Sequence, residues 1–219
     1  MFALLAVMAV LLLGSLIAYW LIVNPILATR KRNGAVGVSS PMLRKHVDYL
    51  CEVHPPRSYE NTQSLKACAS YIAEVLASYA YQVESQPYRD DNLLFENVIA
   101  RYRPQEAQRV IVGAHYDVCG PYQGADDNAS GVAGLLELAR LVAHNKPELS
   151  FGIDFVAYCT EEPPYFRTDL MGSAIHADSL EKDERGQVML MISLEMIGYY
   201  NERPNSQSYP LPILRWVYP

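Results

Sequence analysis

Four short acidic motifs, three at the ends of apolar runs and one opening a helix, constrain the fold of this chain more than any other feature. Gly113-Ala114-His115-Tyr116-Asp117 closes the run from Arg109, Thr160-Glu161-Glu162 follows Phe151 to Tyr158, and Ser193-Leu194-Glu195-Met196-Ile197-Gly198 ends the run from Val188. Gly124-Ala125-Asp126-Asp127-Asn128-Ala129-Ser130-Gly131 opens an amphipathic stretch carrying Leu135, Leu136, Ala139, Leu141 and Val142. Runs of nearly continuous Val, Ile, Met and Leu alternating with helices belong to an α/β fold whose sheet is covered on both faces. In such sheets sites gather beyond the carboxyl ends of the strands, where three motifs close apolar runs and the fourth opens the helix that follows the first of them.

The periodicity fills in the rest. Leu43, Val47 and Leu50 predict a helix after Pro41, broken at His54-Pro55-Pro56-Arg57. A second helix from Asn61 puts Leu65, Cys68, Ile72, Val75, Leu76 and Tyr79 on one face. Strands are expected at Tyr81–Tyr88, Glu96–Tyr102, Arg109–His115, Phe151–Tyr158 and Val188–Leu194, with helices at Val132–His144 and Met171–Ala177.

The N-terminus reads differently. Residues 2–23 carry no charge, a run long enough to cross a hydrocarbon core of about 30 Å. Tyr19 and Trp20 suit an interface, and Arg30, Lys31 and Arg32 come soon after. The run lacks the basic start of a cleaved leader and has a poor cleavage site around Ala28, so an uncleaved single-pass membrane anchor is expected. The basic residues favour a cytoplasmic side for the remainder of the chain. Residues 24–40, with Gly34 and Gly37, read as a linker, and 41–219 as one domain. A net charge of -6 argues against a nucleic-acid partner. The four cysteines form no zinc spacing. Cys51 and Cys68 are candidates for a bridge in an oxidising compartment, Cys159 reads as a buried thiol, and Cys119 falls between the first two motifs.

The motifs suit metal chemistry. His115 and Asp117 are two apart at a strand end and share a face, so the aspartate can orient an imidazole that binds metal through its other nitrogen. Taken alone, such a pair is more often ordinary structure. Asp126 and Asp127 exceed what a helix cap needs, and an aspartate there can bridge two cations; spacing does not choose between them. Glu161 and Glu162 are adjacent carboxylates at a buried strand end, which need a cation or donors. One division of labour gives Glu162 to a metal and leaves Glu161 as the base toward water. Glu195 lies in so apolar a stretch that it needs pairing or a metal.

In this order the motifs resemble the zinc-dependent aminopeptidases of peptidase family M28, whose zincs are co-catalytic; the similarity covers residues 41–219, including Asn97-Val98-Ile99-Ala100. The Gly-Ala-Asp-Asp-Asn-Ala-Ser-Gly stretch is its specific part. The resemblance implies a three-layer α/β/α sandwich with a mixed, mostly parallel sheet. It assigns His115, Asp127, Glu162 and Glu195 to metal, with Asp127 bridging two zincs and joined to Asn128 by a cis peptide. It makes Glu161 the general base and Asp117 the partner of His115. Family members carry one more histidine downstream as a ligand of the second zinc, whereas no histidine lies beyond His176 here. The expectation is therefore an incomplete second zinc site and a domain lacking its C-terminal strands. Members of the family are often secreted or face outward, against the direction the basic cluster at 30–32 favours, so the side of the membrane stays open. Peptides are the expected substrates. The alternatives are an inactive membrane-anchored relict or binding protein, and an acyltransferase of the glutaminyl cyclase type.

Overall fold

The structure, a computed structural model, describes residues 2–23, 37–180, 185–201 and 203. The chain divides into two compact units, one of Met1–Gly34 with Tyr200–Pro219 and one of Ala35–Tyr199.

In the first unit, helix α1 spans Phe2–Val23. Among the described residues no helix is long and apolar enough to cross a membrane. The side chains described in α1 are those of residues 8 and 10–19, so the anchor expected over residues 2–23 gains no support and extends outside them. Most of the expected linker, with its basic cluster, and residues 204–219 also lie outside the described residues.

The second unit begins with α2 (Ser40–Glu52), whose N-cap Ser39 accepts from the Met42 N–H. The helix starts one residue ahead of Pro41 because a proline is tolerated in the first turn, where its missing N–H has no intrahelical role. Helix α3 (Thr62–Ser78) buries Leu65, Cys68, Ala69, Ile72 and Leu76. Strands β1 (Val83–Asp90) and β2 (Leu93–Tyr102) form a hairpin in which Asp90 faces Leu93, leaving Asp91 and Asn92 as the turn. Asp91 adopts a φ of 47°, which the short Asp side chain tolerates. The hairpin runs past Tyr88, where the sequence predicts an end, because β1 is an edge strand: Arg89 stays exposed in the ladder and the half-buried Asp90 accepts from the Tyr165 hydroxyl at 2.7 Å.

Strand β3 (Arg109–His115), helix α4 (Gly131–Asn145), strand β4 (Gly152–Tyr158), helix α5 (Gly172–Ser179) and strand β5 (Val188–Ser193) complete the unit. The sheet order is β1-β2-β4-β3-β5. Pairing is antiparallel for β1 with β2 and β2 with β4, and parallel for β3 with β4 and β5, so the sheet is mixed.

On one face Val98, Ala100, Val112, Ala114, Phe155 and Ala157 pack under α3 and α4, forming the main core with Leu65, Ile72, Leu135 and Leu136. On the other face Ile99, Ile111, Val156 and Tyr158 form a smaller cluster with Leu180 and Val188. Next to it, Met189, Leu190, Met191 and Ile192 of β5 are exposed. All four cysteines are free thiols, so Cys51 and Cys68 form no bridge.

Candidate metal centre

Three neighbouring parallel strands deliver three of the motifs to one edge of the sheet. His115 pairs with Tyr158 and Gly113 with Ser193, so β3, β4 and β5 end side by side. Backbone bonds from Tyr116 N to Tyr158 O (2.9 Å) and Leu194 N to Gly113 O (2.8 Å) carry the ladder one step further. The fourth motif is the turn of residues 125–130 ahead of α4, where Asp127 and Asn128 leave helical geometry and are joined by a cis peptide.

His115 is buried at the centre of this edge. Its Nδ1 lies 3.3 Å from Asp117 Oδ1. Its Nε2 faces Asp127 Oδ1 at 3.2 Å, Glu195 Oε1 at 3.4 Å and Glu161 Oε2 at 3.8 Å. Donor atoms of His115, Asp127 and Glu195 all lie within 4.8 Å of one another, with the two carboxylates 45% exposed. Glu162 stands outside this group of three, facing the same charges without a direct pair to His115 among the described residues.

Asp117 has partners besides the imidazole. Its Oδ1 accepts the Glu161 N–H (3.1 Å) and its Oδ2 the Glu162 N–H (3.0 Å), which ties the third motif to the first. A carboxylate with these donors is well satisfied and needs no cation of its own.

The electrostatics suit a cation. Burial works against the charged form of His115, yet hydrogen bonds to Asp117 and Glu195 and the charges of both carboxylates hold its pKa up at about 10. Burial also raises Asp127 and Glu161, offset in part by His115, and burial together with the Asp127 charge lifts Glu162 to about 7. Carboxylates pushed toward the neutral form around one imidazole nitrogen are a donor set that a divalent cation would satisfy in place of protons. His115 Nε2, Asp127 and Glu195, with an open side, would match a four-coordinate zinc site.

The pair Asp126–Asp127, which spacing leaves unresolved, divides cleanly in space. Asp127 faces His115, whereas Asp126 Oδ1 accepts the Gly198 N–H at 2.8 Å. Asp126 belongs to a latch that the motifs do not advertise. Asn128 Nδ2 donates to Leu194 O (2.8 Å) and Glu195 Oε2 (3.2 Å), and Asn128 Oδ1 accepts from Met196 N (3.2 Å). Ser130 Oγ accepts from Ile197 N at 3.0 Å. The loop carrying Glu195 is thus held from 194 to 198 by the turn carrying Asp127. Gly131 lets them meet, since a Cβ there would collide with Asn128 Oδ1 and Leu194 O. The sequence signal for this latch is the density of short polar side chains at a helix start. Of the other histidines, His46 pairs with Tyr71 (2.7 Å) and His176 with Tyr158 (3.0 Å), away from the cluster.

Comparison with known proteins identifies the family and its fold. The sequence profile of Peptidase family M28 matches residues 97–211. The uncharacterized protein YfbL of Escherichia coli (strain K12) is 44% identical over 221 residues, covering 97% of this chain and 65% of that protein. Leucine aminopeptidase 2 of Trichophyton equinum is 29% identical over 149 residues, covering 68% of this chain and 28% of that protein. Among solved structures, a leucine aminopeptidase precursor from Bacteroides thetaiotaomicron superposes with a TM-score of 0.63 at 27% identity, over 75% of this chain and 64% of that one. Glutaminyl cyclase from Porphyromonas gingivalis superposes with a TM-score of 0.63 at 29% identity, over 74% of this chain and 60% of that one. The chain spans less than two thirds of the length of each of these four.

Proposed function

Since the chain belongs to peptidase family M28, we propose that it is, or is part of, a zinc-dependent aminopeptidase-like hydrolase acting on peptides with a free N-terminus. The observation that carries this reading is the convergence of His115 Nε2, Asp127 and Glu195 at the carboxyl edge of three parallel strands. A zinc ion there would supply Lewis-acid polarisation of a carbonyl and acidify a water.

The residues divide the remaining work. Asp117, on Nδ1, keeps the His115 ring turned so that Nε2 faces Asp127 and Glu195. Asn128 presents Glu195, and the 125–130 turn presents Asp127. Glu161, at the rim of the donor group and biased by burial toward the protonated form, is the general base, taking a proton from water and passing it to the leaving amine. Glu162 and Asp127 are the carboxylates that would hold a second cation. The uncharged run of residues 2–23 supports a single-pass membrane anchor as a further part of the reading; resistance of the chain to alkaline carbonate extraction tests it.

Hydrolysis of aminoacyl nitroanilides by zinc-loaded protein, lost in Glu161→Gln while zinc is retained, is the expected result. Zinc binding without hydrolysis would contradict it and favour a non-catalytic binding protein with this fold. The likeness to glutaminyl cyclase supports a second reading, an acyltransferase. Ammonia release from an N-terminal glutaminyl peptide without chain cleavage would select it.

A further inference from the structure

Arg57 is 1% exposed, and its guanidinium is aimed at carbonyls from three stretches of chain. Nε donates to Tyr116 O (2.7 Å), Nη1 to Leu50 O (2.8 Å) and Gln123 O, and Nη2 to Gly124 O (2.7 Å). Among the described residues no ion pair joins it to a carboxylate. Its own carbonyl accepts the Val118 N–H at 3.2 Å. Burial pulls its pKa down, and the nearby Cys68, Cys51 and Asp117 push it back. A guanidinium stays charged in proteins, so this is a buried cation satisfied almost wholly by backbone.

The carbonyls it holds are placed with purpose. Tyr116 sits between His115 and Asp117, and Gly124 begins the turn that carries Asp127. Gly124 adopts a φ of 58°, and a Cβ there would crowd Asp127 O, Val118 and the Arg57 Nη2. The mount of Arg57 is itself fixed, with Ser64 Oγ donating to Pro55 O (2.7 Å) and Asn61 Nδ2 to Pro56 O (3.0 Å). One rigid side chain therefore spans both ends of the 116–124 loop.

We infer that Arg57 is a positioning residue for the metal centre, setting the spacing between His115 and Asp127 by clamping the Tyr116 and Gly124 carbonyls; this rests on the zinc reading of that centre. A planar fork can reach four carbonyls at once, whereas a lysine keeps the charge and loses the span. Nothing in the clamp touches the donor atoms, so its removal acts on their separation.

The test uses the 219-residue chain with Arg57→Lys and Arg57→Ala, measuring zinc affinity against a chromophoric chelator, with circular dichroism and melting alongside. Native-like spectra well below the melting transition, with zinc affinity lower by about tenfold or more in Arg57→Lys, are expected. In Arg57→Ala, added guanidinium should restore part of the affinity and ammonium should not. A folded Arg57→Lys that binds zinc like the parent overturns the inference. Variants that fail to fold also overturn it, in favour of a role in stability alone. A parent chain that binds no zinc overturns the metal reading instead, which separates the two failures.

Discussion

The Asn128 side-chain amide grips the loop that carries Glu195, donating from Nδ2 at 2.8 Å to Leu194 O and at 3.2 Å to Glu195 Oε2. Two donor groups from distant parts of the sequence, Asp127 and Glu195, are thereby built on one framework. Replacing Asn128 with Ala removes all of these bonds while leaving every donor to the metal in place. Zinc affinity should fall by about 10- to 100-fold, read by titration calorimetry, as for other partners that orient ligands. An unchanged affinity would mean that Glu195 holds its place without the latch.

Asp117 joins the first and third motifs through the N–H groups of Glu161 and Glu162. Asp117→Asn offers one acceptor oxygen for two donors and cannot accept from His115 with the same strength. The variant should lose about 1–3 kcal/mol of stability in urea, since a buried donor is left unpaired. Its metal affinity should fall as well.

Gly131 stands where the turn of Asp127 and the loop of Glu195 touch. Gly131→Ala forces a methyl against Asn128 Oδ1 and Leu194 O. Weaker zinc binding and a lower melting temperature are expected together, because the collision is with backbone as well as side chain. Neither change would appear if the two segments could part freely.

His46 gives a pH dependence that does not involve the metal. Burial, with Lys45 adding to it and Glu137 opposing, lowers its pKa from 6.5 to about 4, so the unfolded chain takes up the proton first. The stability it supports is complete above pH 6.5 and is lost as pH falls from 6.5 toward 4, by a few kcal/mol at most. Urea unfolding at neutral and at mildly acid pH should show this slope, reduced in His46→Phe. Equal slopes in the two proteins would assign the acid sensitivity elsewhere.

Much of the domain is legible in the sequence because burial writes itself as periodicity. The apolar runs ending at His115, Tyr158 and Ser193 are strands, and their ends bring the acidic motifs together. The edge hairpin is harder, since Arg89 and Asp90 lie in a strand with one side open to water and leave no apolar trace. Asp126 and Asp127 are alike in sequence and separated only by the backbone of a turn in which Asp127 is non-helical. Arg57 reads as a loop residue after two prolines, because its partners are carbonyls, which carry no sequence signature. The distinction between Glu161 and Glu162 is likewise spatial: Glu161 reaches the imidazole at 3.8 Å and Glu162 stays outside the three-donor group.

The proposed function stands on His115, Asp127 and Glu195 holding zinc together. Zinc content per chain after equilibrium dialysis at neutral pH, measured for the parent and for Glu195→Gln, tests it most directly. At least one zinc bound per parent chain and a large loss in the variant are expected. A parent chain that retains no zinc, or a Glu195→Gln chain that retains as much, would contradict it.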